Sequence, residues 1–98
     1  MGITKTTLQG YIIVSDADLA IVQNELVTHK KLTQEESGCI IFKVTQDLGN
    51  INKFNVYEEF IDQQAFDRHQ LRVKNSKWGK VTANVQRHYQ ITNGVKNV

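Results

Sequence analysis

Apolar and polar positions along the chain change period several times, and each change marks an element. From Phe54 to Phe60 the apolar residues Phe54, Val56 and Phe60 alternate with Asn55 and Glu59, the period of two of a half-buried strand. Glu58 falls on the otherwise apolar side and Tyr57 on the polar one. At Asp62 the period lengthens: Ala65, Phe66, His69 and Val73 recur at helical spacing, with Asp62 as N-cap and Ile61 and Phe66 placed for a hydrophobic staple. Upstream, Thr4 to Val14 reads as a strand, with Gly10 as a bulge or a close approach. Ser15 and Asp18 form a variant capping box for a helix over 16–36, whose apolar face carries Leu19, Val22, Leu26 and His29 until Gly38 stops it. Cys39 to Asp47 is the next strand, with Ile40, Phe42 and Val44 on one face. Leu48-Gly49-Asn50 is turn chemistry, so Asn52 to Phe60 returns as a hairpin. Ser76 caps a short helix with Trp78, Val81 and Val85 on one side; Gln86 to Thr92 is the last strand, ended by Asn93-Gly94.

The order is β-α-β-β-α-β with an extra helical turn, the α+β ferredoxin-like arrangement of a four-stranded antiparallel sheet with helices on one face. Either parity of Cys39-Ile40-Ile41-Phe42 and of Tyr11-Ile12-Ile13 contains apolar residues. A sheet apolar on both faces buries the second against a partner, so the pattern predicts a homodimer with its sheets face to face.

Composition narrows the class without naming a reaction. The 98 residues make one domain over 1–98, with 40% hydrophobic and 22% charged residues. The near balance of 12 basic and 10 acidic residues, net +2, argues against a dedicated nucleic-acid binder. Cys39 is the single cysteine, which excludes an intrachain disulfide framework and fits a cytoplasmic protein. No apolar run approaches the roughly 20 residues that span a bilayer. The start, MGITKTTLQG, lacks a signal-peptide core. His29, His69 and His88 are scattered, no H-x-x-x-H or C-x-x-C spacing exists, and Gly38, Gly49, Gly79 and Gly94 are isolated. Neither a metal nor a nucleotide phosphate is therefore expected.

Taken in order, Glu36-Ser37-Gly38-Cys39-Ile40-Ile41-Phe42-Lys43-Val44, Asp47, Phe54-Asn55-Val56-Tyr57-Glu58-Glu59-Phe60 and Ala65-Phe66-Asp67-Arg68-His69 resemble the antibiotic biosynthesis monooxygenase family. The pattern there is E-x-G-C-x-x-F-x-V, an Asp, F-x-x-Y-E-x-aromatic, then a helix ending in His. The resemblance implies a dimeric α+β barrel and, in some members, oxygenation of quinols or polyketide phenols without metal or flavin. Other similar proteins degrade haem, and others act on the phosphorylated autoinducer-2 signal. The haem branch uses an Asn on the first strand, a Trp ending the third and a His ligand on a later helix. This chain has no Asn in Ile3 to Val14, has Phe60 at the strand end and Thr82 or Ala83 near the ligand position, so no haem is expected.

Candidate residues each admit two readings. His69 is the candidate catalytic base, or a helix histidine packed on Phe66. Tyr57 donates to a substrate oxygen or fills the dimer barrel, and Glu58 accepts a proton or anchors an Arg or Lys. Phe42, Phe54, Phe60 and Trp78 wall an aromatic pocket or simply build the core. His29 reads as a core or surface residue, and His88 as lying on the sheet surface. Arg68, Arg72, Lys74, Lys77, Lys80 and Arg87 form a solvated basic face, or rim a pocket for an anion. The expected function is a cofactor-independent monooxygenase for a small quinol- or phenol-like substrate. The alternatives are an isomerase for a small phosphorylated carbonyl compound and a non-catalytic dimeric binding module.

Overall fold

The computed structural model describes residues 4–95. The elements are β1 (Thr4–Ile13), a 3-10 turn (Asp16–Asp18), α1 (Leu19–Gln34), β2 (Cys39–Gln46), β3 (Lys53–Phe60), α2 (Gln63–Lys74), α3 (Lys77–Val81) and β4 (Gln86–Val95). The sheet order is β2-β3-β1-β4, antiparallel throughout, which is the expected ferredoxin-like arrangement. One sheet face is closed by the helices. Leu8, Ile12, Phe42, Val44, Phe54, Val56 and Phe60 point into that core and meet Val22, Leu26, Ala65, Phe66 and Trp78 from the helical layer. Burial alternates strictly along β3, so Glu58 lies inside with the three apolar residues.

Several local expectations give way to tertiary structure. Ser15 makes no side-chain cap bond and neither does Asp18: the chain enters α1 through a 3-10 turn, so the predicted capping box does not form. Asp62 does cap α2, its carboxylate accepting from the Ala65 N–H at 2.8 Å. Ser76 caps α3 by accepting from Gly79. Ile61 is 47% exposed and rests beside Gly38.

The register of β2 slips between Cys39 and Ile41, which turns Ile40 outward to 46% exposure while Phe42 and Val44 stay buried. Ile40 therefore does not share their face, because an irregularity in the ladder shifts the parity of the side chains before it. Asn93-Gly94 does not end β4. The strand continues to Val95, paired with β1 down to Thr4, and the Thr6 hydroxyl donates to Asn93 Oδ1 at 2.8 Å.

The open face of the sheet is more polar than the pattern suggested. Tyr11, Ile13, Ile41 and Tyr57 are half-buried there among Gln9, Lys43, Thr45, Asn55 and Gln90. Gly10 is a close approach, as expected: its φ is +153°, and a Cβ would run into the carbonyl of His88 on β4. Among the described residues no helix is long and apolar enough to cross a membrane.

Candidate active site

Two helix faces and one strand bring the site together. On α1, Val22, Leu26, His29 and Thr33 are buried at helical spacing, so His29 reaches the core with the same stripe that packs the helix. On α2, Ala65, Phe66 and His69 do the same. Between α1 and β2, Gly38 adopts φ +93°, and a Cβ there would lie 2.7 Å from Ala65 Cβ. Only glycine lets the start of α2 come so close to this turn. The Ile61 N–H donates to the Gly38 carbonyl at 2.9 Å and fixes the approach. Glu36, two residues earlier, is thereby brought beside His69.

His69 Nδ1 lies 2.9 and 3.2 Å from the two Glu36 oxygens. Arg72 Nε also donates to Glu36, and an Arg72 terminal nitrogen donates to the Thr33 hydroxyl at 2.9 Å. With Glu36 as acceptor, the ring proton sits on Nδ1 and the Nε2 lone pair is free. That lone pair is 3.6 Å from Glu58 Oε1, beyond hydrogen-bond reach. The 3.6 Å approach is not an ion pair. Burial, with Glu36 nearby, pushes the Glu58 carboxyl up to about 8. Burial also holds His69 below its ordinary 6.5, against the upward pull of Glu36. Both groups are neutral near pH 7.

His29 stacks flat on Trp78, ring centroids 4.6 Å apart and planes 4° off parallel. Burial, with His69 and Arg72 nearby, lowers it to about 3, so it too is neutral. Among the described residues its Nδ1 is enclosed without a hydrogen-bond partner.

His29, Glu58, His69 and Trp78 line a cavity of about 380 Å³ between the sheet and the helices, a size suited to a small organic ligand. Thr82, Lys74, Arg87 and Tyr89 also line it. Arg87 donates to the Thr82 carbonyl at 2.7 Å. The arrangement offers a buried base with its tautomer fixed, a neutral carboxyl beside it and aromatic walls. Among the described residues no group of three or more His, Cys, Asp or Glu is placed to hold a metal ion.

The model of the antibiotic biosynthesis monooxygenase (ABM) family matches residues 8–73. The chain belongs to the ABM family. No curated protein matches this ABM domain. Among solved structures, a Nitrosomonas europaea protein described as a candidate antibiotic biosynthesis monooxygenase superposes with TM-score 0.73 at 15% identity, over 98% of this chain and 92% of that one. MupZ of Pseudomonas fluorescens gives 0.72 at 15% identity, over 90% and 69%. A conserved protein of Methanosarcina mazei gives 0.68 at 19%, over 97% and 94%. These likenesses are of fold. The family match includes His29, Glu36, Glu58 and His69 and stops before Trp78, Arg87 and Tyr89.

The residues singled out from sequence separate into groups. His69, Glu58 and Trp78 line the cavity of this ABM domain. Phe60 and Phe42 stand behind His69, their ring centroids 4.9 and 6.1 Å from its own. Phe54 is a core residue, 2% exposed and away from the cavity lining. Tyr57 is on the open face of the sheet, its hydroxyl donating to Glu59. The tyrosine on the cavity wall is Tyr89. Among the described residues Glu58 has no Arg or Lys within ion-pair distance to anchor. His88 stacks on Tyr11 at the surface, as expected. Of the basic run, Lys74 and Arg87 reach the cavity, Arg72 is spent on Glu36, and Lys77 lies 3.8 Å from Glu25.

His29, which lines the cavity, and Glu36, which holds His69 Nδ1, are residues that sequence reasoning passed over. His29 shared an apolar stripe, which was a usable signal. Glu36 had only its place in the family pattern.

Proposed function

We propose that this ABM protein is a monooxygenase for a small phenol- or quinol-like substrate, with His69 as general base. The observation that carries the reading is the buried His69, locked through Nδ1 by Glu36 and with Nε2 free at a cavity of about 380 Å³. Nε2 takes the phenolic proton, and the imidazolium so formed is stabilised by the Glu36 contact. The phenolate then passes one electron to dioxygen. The radical pair recombines to a peroxide anion, which takes the proton back from the His69 imidazolium to give a hydroperoxide, and loss of water, with the C–H at the oxygenated carbon broken, leaves a new carbonyl. In this scheme the substrate itself supplies the electrons, while the chain supplies proton transfer, positioning and exclusion of water. Trp78 and its stacked His29 offer a flat wall for an aromatic ring.

Oxygen consumption with a panel of hydroquinones tests this. General-base catalysis of this kind is worth about 10²–10⁴-fold, so His69→Ala is expected to cut the rate by that factor with the circular dichroism spectrum unchanged. Wild-type uptake no faster than the uncatalysed reaction would refute the oxygenase. Lys74 and Arg87 on the cavity wall are the observation favouring the second reading, an isomerase for a small phosphorylated carbonyl compound; stabilisation by inorganic phosphate would point that way. In the monooxygenase reading the open sheet face packs on a second copy through Tyr11, Ile13, Ile41 and Tyr57. One chain per particle in light scattering would refute that dimer.

A further inference from the structure

Glu58 is an oddity on purely structural grounds. It is 6% exposed on the inner face of β3, between Val56 and Phe60, and it lines the cavity. Among the described residues its Oε1 is enclosed without a hydrogen-bond partner. A carboxyl kept for stability is paired or hydrogen-bonded, because an unsatisfied buried polar group costs about 1–3 kcal/mol. His69 Nε2 lies 3.6 Å from its Oε1, too far for a bond but close enough that one ligand oxygen can touch both.

The geometry points to Glu58 as a second catalytic residue, the hydrogen-bond donor that holds the substrate's reacting oxygen while His69 removes its proton. This rests on the monooxygenase reading for its substrate class. The step is a single proton transfer. The O–H bond of the phenol breaks, its electron pair stays on oxygen, and the proton goes to Nε2. The Glu58 O–H does not break; it donates to the phenolate oxygen and offsets its charge.

The role requires Glu58 to be protonated at working pH, and its carboxyl at about 8 satisfies this. The titratable and charged groups around it fit the role. Glu36, before β2, raises it, and the Cys39 thiol on β2 is itself raised, chiefly by burial. From α1 comes His29, held neutral. From α2 come His69 and, on the cavity wall, Lys74; from β4 come Arg87 and Tyr89. No cation lies within ion-pair distance of Glu58 among the described residues to pull it into the ionised form.

The test uses 4-nitrophenol, whose absorbance reports binding and ionisation without oxygen chemistry. It compares wild type, Glu58→Gln, which keeps an uncharged donor, and Glu58→Leu, which has none. Glu58→Leu is expected to bind about ten- to hundredfold more weakly at pH 7. It should also unfold at no lower urea concentration than wild type, since it removes an unsatisfied polar group. Glu58→Gln is expected to bind as wild type does at pH 7 and to lose less affinity than wild type between pH 7 and pH 9, because ionisation of the nitrophenol weakens both proteins whereas Glu58 ionises only in wild type. Equal binding by wild type and Glu58→Leu would overturn the inference, as would the same alkaline loss in Glu58→Gln or no binding to wild type at all. An intact nitrophenol response with no oxygen uptake from any hydroquinone would instead overturn the oxygenase and leave the role of Glu58 standing.

Discussion

Glu36 takes its importance from partners 33 and 36 positions further along the chain, His69 and Arg72. Its carboxylate does two jobs: it fixes the tautomer of His69, the proposed base, and it joins α2 to the turn that follows α1. Carboxylates that orient a functional histidine typically matter by about 10–100-fold, as known from metal sites. Glu36→Gln is therefore expected to lower the turnover of oxygen uptake by about that factor with little change in KM, read from initial rates across substrate concentrations. A fall in affinity alone would contradict the orienting role. His69 was legible in the sequence because the same helical period that buries Ala65 and Phe66 buries it. Glu36 was not, because it lies in a turn with no period to read, and Gly38's approach to α2 is a tertiary fact. Tyr57 shows the reverse error. Its parity was read correctly as the polar side of β3, and that parity carries it away from the cavity.

At the level of elements, the two N-termini that looked alike from sequence behave differently. Asp62 makes its cap bond at 2.8 Å, whereas Ser15 makes none. Asp62→Ala is expected to cost about 1 kcal/mol of stability, and Ser15→Ala well under half of that, in urea unfolding followed by circular dichroism. Equal costs would mean that the cap assignments are wrong. The strands were legible where one face is buried, since a slip of one residue would expose Phe54, Val56 and Phe60 together. They were illegible where the ladder departs from regular pairing. Ile40 belongs to the irregular step in β2, and nothing local announces it. Asn93-Gly94 has turn composition, yet β1 offers partners as far as Thr4, and pairing along that length overrides local preference.

Across the molecule, Glu58 and His29 make stability depend on pH in opposite directions. The folded-state carboxyl of Glu58 is at about 8, against an ordinary 4.5. Its contribution is whole below pH 4.5 and is lost as pH rises through 8, because the unfolded chain releases the proton first. The limiting slope is about 1.4 kcal/mol per pH unit. His29, at about 3 against 6.5, works the other way, and its contribution is lost as pH falls from 6.5 through 3. Glu58→Gln should remove the decline between pH 6 and 8 and leave the acid limb intact, as measured by urea unfolding at each pH. An unchanged alkaline decline would show that other groups cause it.

The stack of Trp78 on His29 also gives the cavity a reporter of its own. Trp78 is the sole tryptophan of the chain, so all indole emission originates at this wall. A protonated imidazole in contact with an indole quenches it strongly and a neutral one weakly, and His29 stays neutral until well into acid. Near neutral pH, changes in that emission therefore track what enters the cavity, with no label added.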